Sequence, residues 1–116
     1  MGRNMDSPSV LQMVLLEEYS RLLRMIEGIN KELQTLPKGY ISRKNIRGKE
    51  TFYLQWREGE KIKSKYVSAK DIDELTKKVN RRQNLEKSLR VNMKDMKRLE
   101  SALGKEFIQS NIDSIN

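Results

Sequence analysis

The sequence predicts an α+β fold, with two long antiparallel heptad-bearing helices flanking a small three-stranded antiparallel β-sheet. Three observations predict it. Apolar residues recur at alternating spacings of three and four over residues 15–36 and again over 72–103, the mark of helices with a continuous apolar stripe. Between them, residues 40–67 change to a period of two, with glycines where hairpin loops need them. The 116 residues are 36% hydrophobic and 34% charged, which suits a single domain (1–116) with a thin core.

The first helix is predicted over 8–36. Ser7 is the candidate N-cap with Pro8 at the first helical position, and Ser9 with Gln12 forms a variant of the capping box. Leu15, Tyr19, Leu22, Ile26, Ile29, Leu33 and Leu36 form the stripe, which Leu11, Val14 and Leu23 are expected to widen. Gly28 interrupts good helix formers, so a close backbone approach is expected there. Pro37 stops the helix, because the residue before proline is pushed out of α geometry.

A ribbon follows over 39–67, with strands predicted at 40–46, 51–57 and 61–67. Its core is the stretch FYLQWREGEKIKSKYV, Phe52 to Val67. The loop Arg47-Gly48-Lys49-Glu50 admits more than one register for the first hairpin. For the second, a three-residue loop Glu58-Gly59-Glu60 pairs Arg57 with Lys61, Trp56 with Ile62 and Phe52 with Tyr66. That register collects Phe52, Leu54, Trp56, Ile62 and Tyr66 on an apolar face that docks on the helices. Tyr53, Gln55, Arg57, Lys61, Lys63 and Lys65 then line the opposite face. A slip of one residue would mix lysines into the apolar side.

The last long helix is predicted over 69–103, opened by the capping box Ser68-Ala69-Lys70-Asp71. Its stripe is Ile72, Leu75, Val79, Arg82, Leu85, Leu89, Asn92, Met96, Leu99 and Leu103, with one three-residue slip at Arg82 that overwinds the pairing. Asn92 at a seam position reads as a register or oligomer specifier. Gly104 ends the helix, and 104–116 forms a tail or a short helix. Stripes this long over so thin a core predict a homodimer, with Leu15, Tyr19, Leu22, Ile26, Ile29, Leu33, Leu85, Leu89, Asn92, Met96 and Leu99 as the oligomer or helix seam.

Composition excludes whole classes of chemistry. The chain has no cysteine and no histidine, which removes thiolate metal sites, cysteine nucleophiles and histidine bases together. Tyr40, Tyr53 and Tyr66 have no evident activating pocket, and Glu58 and Glu60 sit on a loop without partners. No enzyme activity, catalytic residue, metal or cofactor is therefore expected. No apolar run reaches the ~20 residues of a membrane span and no signal segment opens the chain, so a cytoplasmic protein is expected. The formal charge is +8, and residues 37–70 hold ten basic against three acidic residues, nearly all of the excess. Charge concentrated on one element is the footprint of a polyanion binder. Lysines on an edge strand also serve to block edge-to-edge pairing.

Three segments carry a resemblance. Leu36-Pro37-Lys38-Gly39-Tyr40-Ile41, then Tyr53-Leu54-Gln55-Trp56-Arg57-Glu58-Gly59, then Lys63-Ser64-Lys65-Tyr66-Val67 resemble an uncharacterised prokaryotic domain family found in phages and near transposons. Its layout is a leading helix, an L-P-x-G-x-I lead-in, a basic ribbon and a trailing heptad helix. Many members carry a cysteine knuckle between the first two strands. Here Arg47-Gly48-Lys49-Glu50 takes its place, so the resemblance implies no metal site. More loosely, the ribbon is similar to the arm-site-binding modules of tyrosine recombinases. The resemblance implies the biology of a mobile genetic element or phage.

The function expected is therefore non-catalytic nucleic-acid binding, DNA ahead of RNA, by an accessory or regulatory protein. Arg43, Arg57, Lys61, Lys63 and Lys65 would neutralise phosphates, with Tyr53 and Gln55 free to stack or read an edge, and a ribbon fits the ~12 Å major groove. The alternative is a protein–protein module that inhibits a host nucleic-acid-guided nuclease, in the manner of anti-CRISPR proteins. The segment lacks the acidic patches of a DNA mimic.

Overall fold

The computed structural model describes residues 7–115. Helix α1 spans Val10–Leu33, strands β1 Tyr40–Ile46, β2 Lys49–Glu58 and β3 Lys61–Val67 follow, then helices α2 Ile72–Leu103 and α3 Lys105–Asn111, and a 3₁₀ turn at Ile112–Ser114. The fold is α+β, with a single antiparallel sheet ordered β1-β2-β3. No helix is long and apolar enough to cross a membrane among the described residues.

The chain divides into two compact units. One contains residues up to Asn30 and from Ser88 onward; the other is Lys31–Lys87. In the first, Ser9 rather than Ser7 is the cap of α1: its Oγ accepts the Gln12 amide N–H at 3.1 Å, and Gln12 Oε1 accepts the Ser9 N–H at 2.9 Å. The two side chains satisfy donors that the first turn cannot. Leu16, Tyr19, Leu103 and Ile108 form the core cluster, with Met13, Leu15, Met96, Leu99, Phe107, Ile112 and Ile115 packed on it. The stripe of α1 is narrower than expected. Leu11, Val14 and Leu23 are exposed, while Leu16, outside the heptad spacing, is completely buried. Gly28 meets nothing within 4 Å of where a Cβ would stand, so no close approach explains it.

Two polar contacts register α1 on α2 in this unit. The buried Tyr19 donates its hydroxyl to Glu100 at 3.0 Å, and Asn92 Nδ2 reaches Met25 Sδ at 3.0 Å. Partner numbers fall along α2 as they rise along α1, so the helices run antiparallel. Asn92 thus finds its partner inside the chain. Gly104, at φ 87°, turns the chain out of α2, and α3 then returns Phe107 and Ile108 to the core.

In the second unit α1 ends at Leu33, three residues before the predicted stop, and a short turn leads to Pro37 through Thr35 and Leu36. Arg82 is the reason a cation occupies an apolar stripe. Its guanidinium donates to the carbonyls of Leu33 at 2.6 Å and Leu36 at 2.9 Å while pairing with Glu86 at 3.2 Å. It caps the end of α1, whose last carbonyls have no helical partner. Beside it Arg81 holds Glu32 through two bonds of 2.6 and 2.9 Å. At the other end, Ser68 opens α2, its carbonyl accepting the N–H groups of Asp71 and Ile72 and its Oγ bonding Asp71. Val67, Val79 and Leu85 are the buried apolar residues of this unit.

Candidate nucleic-acid interface

The ribbon's faces are decided by its two hairpins. Both are tight two-residue turns. In the first, Arg47 and Gly48 both take positive φ, 55° and 77°, the signature of a type I′ turn. In the second, Gly59 at φ 60° supplies the positive angle and Glu60 closes the turn. Such turns twist with the strands they join, which favours them over the three-residue loop predicted for Glu58-Gly59-Glu60. The strand β2 accordingly starts two residues earlier and ends one later than predicted.

The consequence is a register one residue away from the predicted one. Arg57 pairs with Ile62, Trp56 with Lys63, Leu54 with Lys65, Tyr53 with Tyr66 and Phe52 with Val67. Directly paired residues share a face. Lys61, Lys63 and Lys65 therefore stand with Phe52, Leu54 and Trp56, not with Tyr53, Gln55 and Arg57. Ile62 and Tyr66 leave the expected apolar face and are 59% and 60% exposed. The mixing of lysines into the apolar side does occur. Val67, 7% exposed, explains why: it is the buried residue of β3, and this register places it beside Phe52 on the helix-facing side.

On that inner face Lys61, Lys63 and Lys65 are all exposed. Lys65 lines a groove of about 430 Å³ with Pro37, Leu54, Val67, Glu74 and Leu75, an apolar surface of the kind a lysine stem can cover. An adjoining groove of about 400 Å³ is lined by Pro37, Lys38, Leu54, Trp56 and Lys65. Trp56 Nε1 donates to Glu58 at 3.3 Å, and Lys63 stands 4.0 Å from the same carboxylate. Arg43, paired with Phe52, lies over its ring at 5.6 Å.

The outer face has a different make-up. From β1 it carries Tyr40, Ser42, Lys44 and Ile46, from β2 Lys49, Thr51, Tyr53, Gln55 and Arg57, and from β3 Ile62, Ser64 and Tyr66. Tyr53 and Tyr66 meet edge to face, centroids 6.0 Å apart, and Lys44 Nζ sits 5.0 Å from the Tyr53 ring centroid. Tyr40 and Tyr66 are at least half exposed. No strand residue of this face is acidic. Tyr66 joins this face only once the register is known, since alternation in β3 alone cannot say which parity meets the helices, and Tyr40 only once the first hairpin's register is known.

The seven residues expected to bind nucleic acid are thus divided. Arg43, Lys61, Lys63 and Lys65 lie on the inner face, and Tyr53, Gln55 and Arg57 on the outer one. Among the described residues, Lys49, Arg57, Lys61 and Lys65 have no carboxylate within ion-pair distance, leaving their charge available. The family model "Domain of unknown function (DUF6788)" matches residues 14–77, from the first half of α1 through the whole sheet into α2. No curated protein and no solved structure matches the chain.

Proposed function

The chain belongs to the DUF6788 family, and on that premise we propose that it is a non-catalytic nucleic-acid-binding protein, acting on DNA as an accessory or regulatory factor of a mobile element or phage. One observation carries the reading. The ribbon segment 37–70 holds ten basic and three acidic residues, and most of its cations project from exposed strand positions without a carboxylate partner. A protein that neutralises several phosphates releases condensed counterions, so its affinity falls steeply with salt.

Fluorescence anisotropy with labelled duplex and single-stranded oligonucleotides across a salt series tests this. Each phosphate contact contributes a slope of about −0.7 to −0.9 in log K against log salt, and four or more such contacts are expected. Undetectable or salt-independent binding rejects the reading. A homodimer belongs to the same proposal, since Val10, Leu11 and Val14 are exposed on adjacent positions of α1. Light scattering over a concentration series is expected to give twice the chain mass; a monomer at every concentration removes that part.

A further inference from the structure

We propose that the outer face of the sheet is a stacking platform for unpaired bases, so that the ligand is a single-stranded nucleic acid. The inference rests on the nucleic-acid reading above and narrows it. Across the three strands, Ser42, Tyr53 and Tyr66 form one rung and Tyr40, Gln55 and Ser64 the next. Lys44 and Thr51 lie beyond the first rung, Arg57 and Ile62 beyond the second. Three aromatic rings therefore occupy two neighbouring rungs, with a cation at either end.

Each part of this arrangement fits an unpaired strand better than a duplex. A duplex exposes base edges and keeps base faces stacked on each other, so protein rings have nothing to stack on. An unpaired strand offers a π-face at every base, and aromatic side chains on a cationic surface are its general receptor. Ser42 and Ser64 are short and do not reach over their neighbours, and Tyr40 and Tyr66 are the exposed rings a base would meet first. Gln55, beside Tyr40, carries both a donor and an acceptor for a base edge. Lys44 over Tyr53 and Arg57 at the far end place positive charge where a backbone would pass on leaving the rings. The inner face lacks this combination, because its rings, Phe52 and Trp56, are half-buried where Tyr40 and Tyr66 are exposed, and the carboxylate of Glu58 accepts from Trp56 and stands 4.0 Å from Lys63.

The test uses the full chain with labelled oligothymidine of about 12 nucleotides and a duplex of equal length, at low salt. The strand is expected to bind about tenfold or more tighter than the duplex. Replacing Tyr40→Ala and Tyr66→Ala together is expected to weaken strand binding about tenfold or more, and Tyr40→Phe with Tyr66→Phe to leave it nearly unchanged, because the ring and not the hydroxyl stacks. On the unaltered protein, strands carrying 5-bromouracil are expected to photo-crosslink at Tyr40, Tyr53 or Tyr66, a readout independent of how any variant folds. Duplex binding equal to or tighter than strand binding, or crosslinks confined to the inner-face residues, would overturn the platform and leave the broader reading standing. Absence of binding to either oligonucleotide removes both.

Discussion

Two adjacent arginines make opposite contributions to this fold. Arg81 is more than half exposed and holds Glu32 in a two-bond pair that water surrounds, an arrangement that contributes little to stability. Arg82 is the reverse, with a side chain only 14% exposed and two backbone carbonyls depending on it. Removing it takes a donor from both acceptors and leaves the Leu33 carbonyl only the 3.2 Å bond from the Leu36 N–H, at about 1 kcal/mol or more in all. Arg82→Ala is therefore expected to cost about 1–2 kcal/mol, read as a urea-midpoint shift at constant slope, and Arg81→Ala to leave the midpoint nearly unchanged. Arg82→Lys is expected to recover less than half of the loss. A single ammonium lacks the planar fork that reaches both carbonyls and Glu86 together.

At the scale of elements, the glycines separate what local pattern reveals from what it hides. Gly39 leads into β1 at φ 108°, and a Cβ there would lie 2.0 Å from the Gln55 carbonyl oxygen. The obstacle is backbone of the central strand, so Gly39→Ala is expected to cost more than about 3 kcal/mol and to disrupt the sheet, visible as lost amide dispersion across 40–67. Gly28, inside α1 with open space around it, is the opposite case, and Gly28→Ala is expected to raise stability by about 0.5–1 kcal/mol. The elements themselves were readable: both long helices, the bounds of β1 and β3, the Ser68 cap and the break at Gly104 all follow from spacing and turn chemistry. Which face each β3 residue takes was not readable. In Lys61–Val67 the apolar residues Ile62, Tyr66 and Val67 do not share one parity, so the pattern alone favours Ile62 and Tyr66 over Val67 as the buried set. A tight turn and one well-packed valine decide otherwise, and every side chain of the strand changes sides. The partner of Arg82 was hidden for a similar reason: carbonyls 46 and 49 residues away leave no trace in local sequence.

For the whole molecule, the absence of histidine and cysteine means that no side chain titrates between the carboxylates and the phenols, so stability is expected to be flat across neutral pH. The two limbs outside that plateau have identifiable origins. Hydrogen bonds from Arg81 and Arg21, respectively, hold the carboxyls of Glu32 and Glu18 below their ordinary 4.5. A carboxyl lowered by folding stabilises the fold above its unfolded value and ceases to do so as pH falls through the folded one. Stability is therefore expected to drop below about pH 4.5, by little from these exposed pairs alone. Charge repulsion adds to that limb, because neutralising all 16 acidic residues takes the formal charge from +8 to +24. Added salt at pH 3 is accordingly expected to raise the urea midpoint by screening the repulsion. At the alkaline end, burial and then the Glu100 bond raise the Tyr19 phenol above its ordinary 10.0. A group raised by folding stabilises fully below its unfolded value, and that stabilisation is lost as pH rises through the folded one. In urea titrations from pH 3 to 11, Tyr19→Phe is expected to lose stability on the plateau, where it forgoes the bond to Glu100, and to show a shallower decline above pH 10. An alkaline limb as steep in the variant as in the parent would show that another group governs it.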